Sequence, residues 1–336
     1  MGTNVLVVLV MKNAWINTSN RFKVQIIRKL LGDGSITKQK NRRPRLQINH
    51  TVSDYDWISY YFKHLKRELP LNPPYYYKHK DIRLKDGFSE IYYVQSRTSD
   101  IICYLKKTWY NNRTKVIPFT LLEKYFSLES LAWWYMDDGH LKVNNHIPQK
   151  IILSVENFTD EEIHSLIDFL YNKYRLPFAV DGQRRIALYK QADIYHFLDL
   201  IDPYTHISMQ RKLRQISFLN KDKLAKKRTT IYLPENIQLI KPTAQINEAL
   251  YNLDKLIKLY KRRKLNKYYV ESIKEKGEKF NYQIAIEKDH INKLNFLKLN
   301  SGITYSGLTE MCFTYENKKR TLAKSLKFLS YYVELT

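Results

Sequence analysis

The chain has 336 residues, and its 57 Lys and Arg against 33 Asp and Glu give a formal net charge of +24. This length accommodates two domains, each with its own core, and a positive excess spread along the whole chain favours a polyanionic partner such as nucleic acid. The two cysteines, Cys103 and Cys312, lie far apart, which excludes a cysteine-ligated zinc finger and is typical of a reducing compartment.

Residues 1–23 are predicted to form an N-terminal leader. Their apolar run, Val5 to Met11, is too short to span a membrane and lacks the basic start and cleavage site of a signal peptide. We expect a strand or an incidental leader here, no membrane partner, and an intracellular protein. The abundance of Lys, Asn, Ile and Tyr suits an AT-rich gene, so the gene is expected in an organelle (mitochondrion or chloroplast) or a bacterium.

An apolar run of helical length that ends in Asp-Gly occurs twice, as IIRKLLGDG at residues 26–34 and LAWWYMDDG at 131–139. Each glycine is expected to end its helix as a left-handed cap, which puts Asp33 and Asp138 in the last turns, where the helix dipole disfavours a carboxylate. A divalent cation such as Mg²⁺ would stabilise two such ends side by side. One Asp-Gly alone is equally well explained by a hairpin turn or an ordinary helix stop, but two at domain spacing favour a shared metal site.

A hairpin is predicted after the first Asp-Gly, with a strand from Ile36, a turn at Asn41 to Pro44, and a strand over Arg45 to His50 that alternates with period two. Its polar face suits the major groove of DNA, although a solvated basic face is the alternative. The residues predicted to contact DNA here are Lys38, Lys40, Arg42, Arg43, Arg45, Gln47 and Asn49.

The order helix, two strands, helix, two strands, helix is predicted twice. The first unit (24–110) continues with a helix over Asp54 to Leu69, a hairpin of Asp81–Leu84 with Tyr92–Arg97, and a helix at 99–110. After a linker at 111–126, the second unit (127–224) has a helix over Leu128 to Asp138, a hairpin, a helix opened by Thr159, strands near 178–180 and 184–188, and a helix over Ala192 to Leu200. Its predicted DNA contacts are Lys142, Asn144, Arg184 and Arg185.

The doubled motif and the doubled order resemble the LAGLIDADG homing endonucleases over roughly residues 24–220. The strings KVIP before the second motif and PYTHISMQRKL near residue 210 resemble the family as well. The resemblance implies an α+β fold of two pseudo-symmetric αββαββα units, with the motif helices packed at the centre and two saddle-shaped sheets on DNA. It also implies a monomeric, intron-encoded enzyme that makes a Mg²⁺-dependent double-strand break in a long DNA target.

The family motif assigns roles to particular residues. Its eighth position is the metal-binding acid, which implies Asp33 and Asp138, and its seventh position adds Gly32 and Asp137 as further metal candidates. Asp137 is expected to leave its helix about 100° away from Asp138 and to matter less for cleavage. Lys115 and Lys212, one per unit, are candidate catalytic lysines, with simple phosphate contact as the alternative.

The third motif position, often small in the family, is Arg28 in one copy and Trp133 in the other. This departure from the family pattern leaves the packing of the two motif helices open.

Residues 225–336 form a basic C-terminal extension of mixed structure. KRTTIYLPE and YQIAIEKD are strand-like, 246–263 is predicted as one amphipathic helix, and a strand, a helix, Gly302 and a second helix from about Ser306 resemble a ribbon-helix-helix unit. A helical appendage packed on the second unit is the alternative.

Two other functions compete with cleavage. Tyr135 to Asp138 spell the YMDD box of reverse transcriptases, but that box lies on a hairpin, whereas the sequence here predicts a helix. An RNA maturase that binds its host intron is the second alternative, because RNA and DNA both attract a basic surface.

Overall fold

The computed structural model describes residues 2–83, 85, 87–145, 147–213, 228–273 and 277–315, with side chains from residue 6 onward. The predicted boundary between the second unit and the extension, near residue 225, lies outside these residues, as does Leu84.

The N-terminal segment is a helix, α1 (Gly2–Ile16), so the predicted strand is wrong. A short apolar run does not separate strand from helix by itself, and the helix here holds Trp15 in a buried position stacked on Tyr104. Leu6 to Val10 are exposed on this helix. No helix in the described part of the chain is long and apolar enough to cross a membrane.

The first unit follows the predicted order of elements. Its helices and strands are α2 (Asn20–Leu31), β1 (Ser35–Thr37), β2 (Arg45–Thr51), α3 (Tyr55–Leu65), β3 (Tyr75–Lys80), β4 (Phe88–Gln95) and α4 (Asp100–Trp109). The motif helix α2 begins four residues before the predicted start of the unit, because the Ser19 side chain caps it by accepting from the backbone N–H of Phe22.

The second unit repeats this order after the predicted linker. Strand β5 (Tyr110–Asn111) lies at the start of the linker, which continues with β6 (Thr114–Lys115) and α5 (Phe119–Tyr125). The elements of the second unit are α6 (Leu128–Asp138), β7 (Gly139–Asn144), β8 (Ile147–Leu153), α7 (Asp160–Tyr174), β9 (Ala179–Val180), β10 (Ile186–Leu188) and α8 (Gln191–Ile201). A short 3₁₀ helix, Ile207–Lys212, follows.

Each unit has one four-stranded antiparallel sheet, and the two sheets have equivalent strand orders, β1-β2-β4-β3 and β7-β8-β10-β9. The duplicated αββαββα arrangement confirms the predicted fold class. The predicted hairpin at Asp81–Leu84 is wrong, because the strand that pairs with β4 is the tyrosine-rich β3. Three consecutive tyrosines show no period-two alternation of polar and apolar residues, although aromatic side chains favour strands.

The two motif helices, α2 and α6, pack against each other at the centre of a core that both units share. Helix α6 begins with a capping box in which Ser127 and Ser130 satisfy each other's backbone N–H groups. Because the helices touch directly, residues at their ends from the two units meet.

The extension has a second core of its own. Its elements are β11 (Thr229–Pro234), α9 (Pro242–Leu250), α10 (Leu253–Lys261), α11 (Leu265–Ser272), β12 (Lys279–Ile284), α12 (Lys288–Ser301) and a further helix, α13, at 305–315. The predicted single helix over 246–263 is wrong, since the chain turns at Tyr251 and Asn252 between α9 and α10.

Candidate active site

The glycines of the two Asp-Gly motifs do not act as left-handed caps. Neither Gly34 nor Gly139 is among the described glycines with positive φ, and Gly139 has φ −87°. Helix α2 already ends at Leu31, with Gly32 as its C-cap at φ −90°, so Asp33 lies just beyond the last turn, whereas Asp138 is the last residue of α6. Glycine is needed here for space: a Cβ on Gly34 would lie 2.4 Å from the Lys29 carbonyl oxygen, and a Cβ on the preceding Gly32 would lie 2.9 Å from Cβ of Asp137 on the other motif helix. The expected left-handed caps are therefore wrong, and small residues are needed because the helix ends are in close contact.

The predicted acids, Asp33 and Asp138, come together at these helix ends, and their side chains hydrogen-bond each other. Burial, followed by the charge of Asp137, raises the pKa of Asp33 to about 6. Burial, followed by the charges of Asp33 and Asp137, raises the pKa of Asp138 to about 9. Two carboxyl groups in contact cannot both ionise readily, so at neutral pH the metal-free pair shares a proton.

Each candidate lysine lies against the end of one motif helix. The Lys115 ammonium donates to the carbonyl oxygens of Gly32 at 3.3 Å and Gly34 at 3.0 Å. The Lys212 ammonium donates to the carbonyls of Met136 at 2.6 Å and Asp137 at 3.2 Å. The two lysines thus occupy pseudo-symmetric positions, where their charge offsets the negative ends of both helices.

Burial lowers the pKa of both lysines, although the nearby acids oppose the shift. For Lys115 the pKa falls to about 8. For Lys212 the pKa is lowered from its ordinary value. An ammonium with a pKa near the working pH can release a proton more easily than an exposed lysine can.

The other candidate acid, Asp137, points into the protein, and its side chain is fully buried. Its Oδ1 accepts from the Lys29 ammonium at 2.6 Å and from the Trp57 indole at 2.9 Å. His50 lies between the acids, with Nδ1 3.4 Å from Asp33 Oδ2 and Nε2 3.7 Å from Asp137 Oδ1. Ligand atoms of Asp33, His50 and Asp137 lie within 4.8 Å of one another, so these three could hold a cation.

Burial, together with the Lys29 charge, lowers the pKa of His50 well below its ordinary value, so His50 is neutral. Lys29, His50 and Trp57 were not among the site residues predicted from the sequence. For His50 one signal was available, because the alternation of β2 places it with Leu46 and Ile48 on the buried face, where a histidine is unusual.

The unusual third motif residues pack on each other. The Arg28 guanidinium lies over the Trp133 ring and forms an ion pair with Glu129 at 2.9 Å. An arginine stacked on a tryptophan therefore fills the contact between the helices, which the sequence had left open.

A cleft of about 500 Å³ opens beside the acid pair. Asp33, Lys115 and Asp138 line it, together with Arg113 and the segment 154–158 that follows β8. Both units and the linker contribute to this cleft, so a bound phosphate would reach residues from both halves of the chain.

The predicted DNA-contact residues of β2 share one exposed face. Arg45 and Asn49 are exposed and Gln47 is half-buried, whereas the alternate residues Leu46, Ile48 and His50 are buried. Cross-strand pairing places four further residues on this face that were not predicted to contact DNA: Tyr93 and Gln95 on β4, and Tyr75 and Tyr77 on β3.

The remaining predicted contacts divide into two groups. Arg43, Arg184 and Arg185 are held in ion pairs with Asp100, Asp160 and Asp181 respectively. Exposed residues make up the other group: Lys38, Lys40 and Arg42 in the loop between β1 and β2, and Lys142 and Asn144 on β7. An arginine already paired with an acid gains less from a phosphate, so the second group is better placed to bind DNA.

Residues 26–192 match the model of the LAGLIDADG DNA endonuclease family. The match begins within α2 and covers α6 and both sheets, and the chain belongs to this family. Among curated relatives, an uncharacterized protein of Methanocaldococcus jannaschii is 29% identical over 202 residues, which are 59% of this chain and 75% of that protein.

A probable intron-encoded endonuclease 1 of Wickerhamomyces canadensis is 26% identical over 226 residues, 63% of this chain and 92% of that protein. Among solved structures, the homing endonuclease I-WcaI bound to its DNA recognition sequence aligns with a TM-score of 0.49 and 25% identity, covering 60% of this chain and 91% of that one.

These findings decide between the competing functions. Tyr135 to Asp138 lie within α6, so the YMDD string is not the hairpin box of a reverse transcriptase. The family match identifies a DNA endonuclease, which favours cleavage over a purely RNA-binding maturase.

Proposed function

We propose that this chain is a site-specific homing endonuclease that makes a metal-dependent double-strand break in a long DNA target. The observation that carries the proposal is the contact between Asp33 and Asp138, two equivalent motif acids from two units, beside a cleft lined by both. A largely buried acid pair costs folding free energy, and metal-dependent phosphodiester hydrolysis is a function that requires such a pair.

The residues fit a divalent cation, and Mg²⁺ suits them best. Asp33 and Asp138 offer hard oxygen ligands, and Oδ2 of the buried Asp137 has no hydrogen-bond partner among the described residues. When bound, such a cation supplies activation of water and neutralises charge on the leaving oxygen. Asp33 and Asp138 would hold it, with Gly32 and Asp137 beside them.

The lysines and the sheets provide the other functions. Lys115 and Lys212 place positive charge at the two helix ends, where they orient the acids and stabilise negative charge on the phosphate. The exposed faces of the two sheets would bind the DNA grooves, with Arg45, Gln47 and Asn49 contacting base edges in the first unit and Lys142 in the second.

Both units belong to one chain, and one acid from each unit completes the pair, so we propose that the monomer is active. The relative named as a probable intron-encoded endonuclease supports an intron as the location of the gene.

A cleavage assay tests the proposal. The purified chain is incubated with a plasmid carrying the intronless form of its host gene, in Mg²⁺ and, separately, in chelator. We expect linear product only with the cation, from an intronless plasmid and not from one that carries the intron. Absence of cleavage, combined with stimulation of splicing of the host intron RNA, would contradict the proposal and support the maturase alternative.

A further inference from the structure

The extension, which lies beyond the family match, contains a paired two-stranded ribbon built from segments far apart in sequence. Strands β11 and β12 are antiparallel, with Thr230 opposite Gln283 and Tyr232 opposite Asn281. Strand β11 is followed by α9 and α10, and β12 by α12 and α13, so a strand-helix-helix order occurs twice, with the additional helix α11 between the two copies. The extension is therefore internally doubled, with one strand from each half in the ribbon.

One face of the ribbon forms part of a core and the other is open. Ile231, Leu233 and Ile284 point inward and are buried in the core of the extension. Alternation places five exposed polar side chains on the outer face: Thr230, Tyr232, Lys279, Asn281 and Gln283. Among the described residues, the side chains of Thr230, Tyr232, Asn281 and Gln283 have no hydrogen-bond partner. Five polar side chains in register present donors and acceptors to an outside ligand.

We propose that this ribbon is a second sequence-reading surface, which inserts its outer face into the major groove of duplex DNA. A two-stranded ribbon fits the width of that groove, and Asn and Gln side chains pair with adenine edges there. The basic excess of the extension complements the phosphates on either side.

Duplex DNA fits this face better than other partners do. The major groove of A-form RNA is too deep and narrow for a ribbon to read. The outer face carries mostly polar side chains, so it offers a second protein chain little apolar area to bury.

The ribbon is held in a fixed position relative to the second unit. The Asn266 side chain donates to the carbonyls of Ala192 on α8 and Ser301 on α12, at 3.0 and 2.7 Å. The Tyr195 hydroxyl on α8 donates to the Leu299 carbonyl at 2.9 Å. Gly302, with φ +68°, lies so close to Gln191 that a Cβ would not fit. The ribbon would thus read DNA next to the segment bound by the second sheet. This inference rests on the proposed function in one respect: the ribbon and the two sheets would bind the same DNA duplex.

The test uses the full chain and measures binding without cleavage, in Ca²⁺ or chelator. Sites are selected from duplexes randomised across and beyond the target, and their boundaries are mapped by footprinting. We expect the double variant Asn281→Ala/Gln283→Ala to lose preference at two to four adjacent base pairs at one end of the site. Affinity for the selected site should fall at least about tenfold, since each bidentate base contact contributes about 1–3 kcal/mol. Asn292→Ala, an exposed asparagine on α12, is the matched control and should bind as the unmodified chain does.

The outcomes are separable. Unchanged base preference and affinity in the double variant would overturn the ribbon proposal. An equal loss of base preference at every position of the site would overturn it as well, and so would a variant that lost binding only to a structured RNA competitor. Dimerisation of the unmodified chain that the double variant abolishes, measured by sedimentation, would assign the face to a second copy instead. Specific binding in Ca²⁺ by an unmodified chain that fails to cut the same selected site in Mg²⁺ would contradict the proposed nuclease function while leaving the ribbon proposal intact. Equal thermal midpoints would exclude misfolding of the variants.

Discussion

Lys29 on the first motif helix and Asp137 on the second form an ion pair across the centre of the molecule, with Nζ 2.6 Å from Oδ1 and both side chains fully buried. Asp137 immediately precedes Asp138 and Lys29 lies four residues before Asp33, so the pair fixes how the ends of the two motif helices meet. We therefore expect Asp137 to act mainly as a positioning residue within the helix interface.

Replacing Asp137 with Asn should destabilise the protein, because it leaves the Lys29 ammonium buried without a counter-charge. Breaking a buried pair on one side costs about 3–5 kcal/mol in the free energy of unfolding. Urea unfolding measures this loss. The double variant Lys29→Met/Asp137→Leu, which removes both charges, should recover most of it, and a loss below about 1 kcal/mol for Asp137→Asn would show that the pair contributes little.

The acid pair should make the metal-free protein less stable as the pH rises. Both folded pKa values, about 6 for Asp33 and about 9 for Asp138, lie above the ordinary value of 3.8, so the folded state holds protons that the unfolded state has released. The resulting stability is fully present below about pH 4 and is lost as the pH rises through 6 and then 9.

Thermal unfolding in chelator, compared with Asp138→Asn, isolates this effect because the amide cannot ionise. The midpoint of the unmodified chain should fall relative to that of the variant between pH 5 and 9.5, and added Mg²⁺ should reverse the fall. If the thermal midpoints of the unmodified chain and of Asp138→Asn changed with pH in parallel in chelator, the two acids would not share a proton.

Replacing Lys115 or Lys212 with Met should slow cleavage more than it weakens binding, because each ammonium acts at a helix end beside the acids. We expect the single-turnover rate to fall at least about tenfold and the affinity to change by less than about threefold. Lys173→Met is the matched control, since Lys173 also donates to a backbone carbonyl, that of Phe126, away from the acids. If affinity and rate fell equally, simple phosphate contact would explain both lysines.

Replacing Gln47 with Ala should relax sequence preference in one half of the target, because Gln47 lies on the outward face of β2 between Arg45 and Asn49. The loss should amount to about 1–3 kcal/mol of discrimination at one or two base pairs. Selection from randomised duplexes measures it, with Asn17→Ala, an exposed amide after α1, as the control. Equal weakening on all sequences would remove Gln47 from base recognition.

The sequence predicted local features well where pattern and caps agreed. Helix α6 occupies Leu128 to Asp138 as predicted, and the alternation of β2 gave the correct buried face. The tyrosine-rich β3 and the break between α9 and α10 have no such pattern. The contact between Lys29 and Asp137 could not be predicted, because it depends on the crossing of two helices about a hundred residues apart and on the stacking of Arg28 on Trp133.

Paired measurements of binding and cleavage for Asp33→Asn and Asp138→Asn test the central claim most directly. Each substitution removes one charge at nearly constant shape, so we expect DNA affinity to persist or rise while cleavage falls by at least about a thousandfold for either variant. Normal cleavage by either variant would contradict the claim that the two motif acids together form the catalytic centre.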